Sequence, residues 1–159
     1  MRCFKSILVA IVLCLLGMNA FSQTDLATKL ISGNYVLLMR HAYAPGVGDP
    51  AGYTLDKCES QRVLNAVGKQ QALRTGGWLR KQGVTSAKVL SSPWCRCVET
   101  SERLKFGAVE IEPSLASFFD TPASAKSQNE RLKTMIQKML RQKSKSALIL
   151  VTHHVNIAK

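Results

Sequence analysis

Three short apolar runs, each broken off by a polar cluster, constrain this chain more than any other feature. Asn34-Tyr35-Val36-Leu37-Leu38-Met39 ends in Arg40-His41, and Ala87-Lys88-Val89-Leu90-Ser91 ends in Ser92-Pro93-Trp94-Cys95-Arg96. The run from Ala147 to Val151 ends in Thr152-His153-His154. Runs this short, rich in Val, Leu and Ile and lacking the alternation of half-exposed sheet, predict strands buried on both faces, as in a parallel sheet covered by helices. A shorter strand is predicted from Val109 to Ile111.

Helical patterns lie between these runs. Asn65 can cap a helix running to about Lys81, with Ala72, Leu73, Gly76 and Leu79 near one face and Gly83 as its stop. Gly68, Gly76 and Gly77 weaken that pattern, because glycine in a helix interior is unfavourable. Arg96 to Lys105 reads as a second helix, stopped near Gly107. Ser127-Gln128-Asn129-Glu130 fits a capping box, after which Leu132, Met135, Ile136, Met139 and Leu140 follow helical spacing. Those side chains are assigned to the core, and Arg131, Lys133, Lys138, Arg141, Lys143 and Lys145 to the solvated face. Residues 43 to 60 carry Pro45, Gly46, Gly48, Asp49, Pro50, Gly52 and Asp56, the composition of a long loop, and Pro113 to Ala125 reads as irregular. Alternating strands and helices predict an α/β fold, a three-layer sandwich with a mostly parallel central sheet.

The first residues have a different character. Arg2 and Lys5 precede an uncharged apolar run from Ser6 to Met18, and Ala20 and Ser22 supply small residues before a cut ahead of Gln23. Residues 1–22 therefore read as a secretory signal peptide. The run is too short for a spanning helix, which needs about 20 residues, so no stable membrane span is expected after cleavage. A periplasmic or secreted location follows. A retained anchor is less favoured, and Leu13 argues against a lipoprotein site at Cys14. Residues 23–159 suffice for one domain. With Arg2 and Lys5 removed, the net charge falls from +12 to +10, which favours anionic partners. Cys3 and Cys14 leave with the signal. Cys58, Cys95 and Cys97 remain in a compartment that permits disulfides, and a bridge from Cys58 to either Cys95 or Cys97 is predicted, with one thiol left free.

The polar clusters follow the carboxyl ends of predicted strands, the edge where open α/β sheets bind ligands. They offer Arg40, Arg96, His41 and either His153 or His154, which as sequence neighbours should point to opposite sides. Guanidinium groups grip phosphate oxygens in pairs, and imidazole can act as a nucleophile or proton carrier near neutral pH. The chain shows no Walker lysine loop, dense Asp cluster or zinc-ligand spacing, so Arg and His alone would offset the charge of a transferring phosphoryl group.

These residues carry a resemblance. Leu38-Met39-Arg40-His41-Ala42 resembles the Arg-His-Gly signature of the histidine phosphatase superfamily, which includes the phosphoglycerate mutases, with Ala where Gly is usual. Leu64 to Ala72 is similar to its first helix motif, Ser91 to Thr100 to its serine-proline-x-x-arginine segment, and Val151-Thr152-His153 to the segment of its second histidine. The stretch from Ala44 through Cys58 to Arg62 resembles a secreted bacterial subgroup. The resemblance spans about residues 34–157 and implies a phosphoric monoester hydrolase of the histidine acid phosphatase kind. His41 would be the nucleophile that carries a transient phosphohistidine, and Arg40, Arg96 and His153 would hold the phosphoryl oxygens. No metal or cofactor is implied. The substrate would be a small phosphorylated molecule such as an envelope sugar phosphate, and a mutase is disfavoured outside the cell.

Two departures stand out. Ala116-Ser117-Phe118-Phe119 occupies the place of the usual acidic proton donor, leaving Asp120 as the nearest carboxylate candidate. The family domain continues past its second histidine with a helix and a strand, so a C-terminally incomplete domain is expected, with apolar surface of the last strand left uncovered and little activity. A non-catalytic anion-binding remnant is the alternative function. Nucleic-acid binding is less favoured, because only 6% of residues are aromatic and no stacking platform interleaves with the basic ones.

Overall fold

The structure, a computed structural model, describes residues 20–158, with side chains from residue 25. The expected signal peptide lies outside the described residues except for residues 20–22, which begin the first helix. In chain order the elements are α1 (Ala20–Ile31), β1 (Leu37–Arg40), α2 (Ala66–Lys81), β2 (Ala87–Ser91), α3 (Cys95–Arg103), β3 (Val109–Ile111), α4 (Ala125–Arg141), β4 (Ala147–Thr152) and α5 (His154–Ile157). The four strands form one all-parallel sheet in the order β1-β4-β2-β3. Parallel strands need crossover connections, and helices supply them on both faces.

The period-2 geometry of β4 divides the core. Ala147, Ile149 and Val151 face one way, joining Ala27 and Leu30 of α1, Leu79 of α2, and Trp94 and Cys97 around α3. Leu148 and Leu150 face the other way, with Leu115 and with Leu132, Met135, Ile136 and Met139 of α4. The three-layer α/β sandwich is therefore present, with β4 buried along its length. The expectation of an uncovered apolar face on this strand is not met. The reason is α1, unread in the sequence: its Leu26, Ala27 and Leu30 make a helical stripe within the seven described side chains from Asp25 to Ile31, beside the expected signal.

Other boundaries shift for local reasons. β1 starts at Leu37, not Asn34, and includes Arg40 as its last residue. The helix expected from Arg96 to Lys105 ends at Arg103, with Lys105 in left-handed conformation (φ 61°) ahead of Gly107. The capping box is not used. Pro122 opens a 3-10 turn, Pro122–Ser124, that feeds straight into α4, so Ser127 lies inside the helix and its hydroxyl donates to the Ser124 carbonyl (3.0 Å).

The cap at Asn65 is real, its side-chain oxygen accepting from the Gly68 amide (2.9 Å). Two of the glycines that weakened this helix in sequence are needed for close approach. A Cβ on Gly68 would sit 1.9 Å from the Tyr43 carbonyl oxygen, and one on Gly76 2.2 Å from that of Leu104, whereas Gly77 faces open space. Gly68 thus brings α2 against the segment that follows His41. Cys58 pairs with Cys95 across 37 residues, and Cys97 stays free and buried. Two positions apart on α3, Cys95 meets the loop while Cys97 meets the core. By chain entropy the bridge contributes about 3 to 4 kcal/mol. Among the described residues no helix is long and apolar enough to cross a membrane.

Candidate active site

The strand ends meet as the parallel register requires. Beyond the regular ladder the His41 amide donates to the Thr152 carbonyl (2.9 Å), and the Ser92 amide to that of Val151 (2.9 Å). These bonds place Arg40-His41, Ser91-Ser92 and His153 side by side on one sheet edge. They border a cavity of about 210 Å³ into which Arg40, His41, Arg96, His153 and His154 all open. The four residues singled out in sequence are thus brought together. His154 is exposed and starts α5, while His153 is buried beside His41, with ring centroids 5.4 Å apart at 67°.

His41 is 5% exposed, and its Nδ1 donates to the carbonyl of Ala42 (2.7 Å). A carbonyl only accepts, so the proton sits on Nδ1 and Nε2 keeps its lone pair. Burial lowers the imidazole pKa to about 4, helped by the charges of Arg96, Arg40 and Arg62 and opposed by the Ala42 bond. The Ala42 amide in turn donates to Thr100 Oγ1 (2.9 Å), whose hydroxyl donates to the Arg96 carbonyl (2.6 Å), tying the segment after β1 to α3.

His153 is held from both ring nitrogens. Arg96 Nη2 lies 3.5 Å from Nδ1 and Ser92 Oγ 2.8 Å from Nε2. Arginine only donates, so Nδ1 accepts here and Nε2–H donates to Ser92. Burial, then the Arg96 charge, brings its pKa down to about 2. Trp94 stands edge-on against the ring at 5.2 Å. Asn156 Nδ2 donates to the Ala116 carbonyl (2.9 Å) and Thr152 Oγ1 to that of Leu115 (2.7 Å), fixing the chain on either side of His153. The buried Cys97 thiol, pushed up to about 12 mainly by burial, stays protonated 3.5 Å from Nε2.

The other wall comes from the loop between β1 and α2, where sequence reasoning assigned no roles. Asp49 accepts from Arg96 Nη1 (2.8 Å), Trp94 Nε1 (3.0 Å) and the Arg62 amide (2.9 Å). Both side chains of the Arg96–Asp49 pair are buried. Burial works to raise the Asp49 pKa, but these donors and the Arg96 charge outweigh it and hold the carboxyl below its usual range. Arg62 sends Nη1 to the carbonyls of Ala44 (2.7 Å) and Gly46 (2.9 Å), and Nε to that of Gly48 (3.0 Å). Beyond the subgroup resemblance of the stretch that holds them, a charge among turn-forming residues was the signal for either, and composition alone reads Asp49 as a turn residue. Asp120, the candidate carboxylate, also lines the cavity and accepts from the Tyr53 hydroxyl (3.2 Å).

Arg40, Arg62 and Arg96 make the cavity cationic, and Arg96 Nε is buried without a partner among the described residues. Among those residues no group of three His, Cys, Asp or Glu side chains could hold a metal ion. The arrangement suits an oxyanion held by guanidinium groups next to a neutral imidazole.

An all-parallel sheet with helices on both faces and a basic, histidine-bearing pocket at its carboxyl edge defines the class. The chain has the phosphoglycerate mutase-like fold. It is similar to the protein histidine phosphatase SixA solved with tungstate, at 20% identity, over 77% of this chain and 70% of that one, with a TM-score of 0.50. A mycobacterial glucosyl-3-phosphoglycerate phosphatase solved with VO3 matches at 15% identity, over 77% of each chain, with a TM-score of 0.58. A phosphoserine phosphatase from Entamoeba histolytica, in complex with 3-phosphoglyceric acid, matches at 14% identity over 77% and 75% of the two chains, with a TM-score of 0.56. No family model and no curated protein sequence matches the chain.

Proposed function

We propose that this chain is a metal-independent phosphatase that hydrolyses phosphomonoesters through a phosphohistidine on His41. The observation that carries the reading is the Nδ1 bond of His41 to Ala42, which leaves a lone pair on Nε2 in a cavity bearing three guanidinium groups. Nε2 attacks phosphorus and the ester P–O bond breaks, while Arg40, Arg62 and Arg96 offset the charge on the equatorial oxygens. Ser92 can accept from or donate to His153 Nε2, so the single proton of the neutral ring can move from Nε2 to Nδ1 and be turned to a phosphoryl oxygen drawn in by Arg96. The departing oxygen takes its proton from Asp120. Water then attacks the phosphohistidine, gives that carboxylate a proton and releases phosphate. Asp49 is excluded as the acid, because its three donors keep it ionised.

A small phosphomonoester fits the cavity, and the apparent signal peptide favours a periplasmic or secreted enzyme that meets envelope sugar phosphates. The non-catalytic alternative is an anion-binding remnant of the same fold. The test is turnover of a phosphomonoester panel in the presence of EDTA, by wild type and His41→Ala. Activity that persists with the chelator and falls to background in the variant is expected. A rate lost to EDTA and restored by a divalent ion, or retained without His41, would overturn the reading.

A further inference from the structure

The mouth of the cavity carries apolar side chains held in water. Val47 is 86% exposed and Phe119 51% exposed, and both line the same cavity as the cationic floor. Val47 sits between Gly46 (φ 87°) and Gly48 (φ 68°), a left-handed pair that glycine adopts at no steric cost. Such a loop tip is ordinarily polar and mobile. Here its tip is the apolar Val47, and Arg62 ties the turn down by binding the carbonyls of Ala44, Gly46 and Gly48. The turn and Phe119 abut across the opening, since a Cβ on Gly48 would lie 3.6 Å from the Phe119 ring. Val155 adds a third apolar group.

We propose that Val47 and Phe119 form a preorganised apolar lip that selects phosphomonoesters with an uncharged, apolar ester group. The inference rests on the phosphatase reading of the same site and names its substrate class. The cationic floor takes the phosphoryl group, and the ester group lies outward across the lip, where covering Val47 and Phe119 removes apolar surface from water. Apart from the three guanidinium groups, the buried His41 and His153 and the paired Asp49, the polar side chains lining the cavity are Ser117, Asp120 and His154, few partners for a sugar. An apolar ester therefore fits better than the sugar phosphate suggested by compartment alone.

Calorimetric titration with n-alkylphosphonates, from methyl to butyl, reads the lip by binding alone and needs no turnover. The dissociation constant is expected to fall about two-fold per methylene, half the free energy of a fully buried one. Val47→Ser and Phe119→Ser should each flatten the series. Val67→Ser, at an exposed valine of α2 outside the cavity, should leave the slope intact. A flat wild-type series, or glycerol phosphate binding more tightly than butylphosphonate, overturns the lip. If inorganic phosphate still binds in that case, the phosphatase reading stands, whereas loss of phosphate binding overturns both. A steep series in a protein that fails the turnover test keeps the lip as a ligand site and rejects the enzyme.

Discussion

Arg40, His41, Ser92 and His153 stand at the carboxyl ends of β1, β2 and β4, whereas Val47, Asp49 and Arg62 stand on the loop between β1 and α2, and these two walls of one cavity are held by different forces. The strand wall is fixed by the parallel ladder and its extension through the amides of His41 and Ser92, over a core of Ile149, Leu150 and Val151. The loop wall has no ladder. Its residues are held by the Cys58–Cys95 bridge, the buried Asp49–Arg96 pair and the three-carbonyl grip of Arg62. Backbone pairing positions the groups assigned to phosphoryl chemistry, and side-chain clamps position those assigned to what surrounds it.

The sharpest way to separate the walls is to break their shared joint. Asp49→Ala leaves Arg96 buried without its counter-charge, which costs about 3–5 kcal/mol for a pair this enclosed. Urea unfolding should show that loss, and turnover should fall with it, because Arg96 also faces His153. A variant that unfolds like the wild type would mean the loop wall is held without this pair.

Acid should take the walls apart in sequence. The folded pKa of His41 is about 4 and that of His153 about 2, against 6.5 for each when free, so the unfolded chain binds more protons as the pH drops. Stability from the strand wall is therefore complete above about pH 6.5 and declines as the pH falls from there toward 4 and below. The Asp49 carboxyl is depressed below 3.8, so its contribution is present above that value and lost only as the pH falls through its folded pKa. Melting temperature against pH should fall in two stages, and His41→Ala should weaken the upper one. A single fall confined below pH 4 would contradict the burial of the two imidazoles.

The smallest expected effect concerns α2, which supports the start of the loop. Gly77→Ala should raise stability by roughly 0.4–1 kcal/mol, since its Cβ meets nothing, whereas Gly68→Ala should lower both stability and turnover by pushing Tyr43 away. Equal responses of the two would show that α2 does not set the position of residues 42–44.

The same contrast explains what was legible in the sequence. A buried parallel strand is a local pattern, so Leu37–Met39, Val89–Leu90 and Leu148–Val151 disclosed the sheet, and the polar residues that end each run disclosed the strand wall. Asp49 and Arg96 are 47 positions apart and meet through side chains alone, a contact that no local periodicity records. The bridge was legible only to within Cys95 or Cys97, because which of them faces the loop is a matter of helix rotation. The α1 stripe was too short to stand out, and Pro122 displaced the start of α4 from the capping pattern at Ser127.

The central claim is that the strand wall carries a nucleophile, and rapid-quench labelling tests it most directly. Wild-type protein mixed with a phosphomonoester radiolabelled in its phosphoryl group, quenched within milliseconds and digested under alkaline conditions, should yield an acid-labile, alkali-stable label on the peptide containing His41. The His41→Ala protein should yield none. Label on any other residue, or comparable labelling of His41→Ala, would contradict the assignment of His41 as the phosphoryl acceptor.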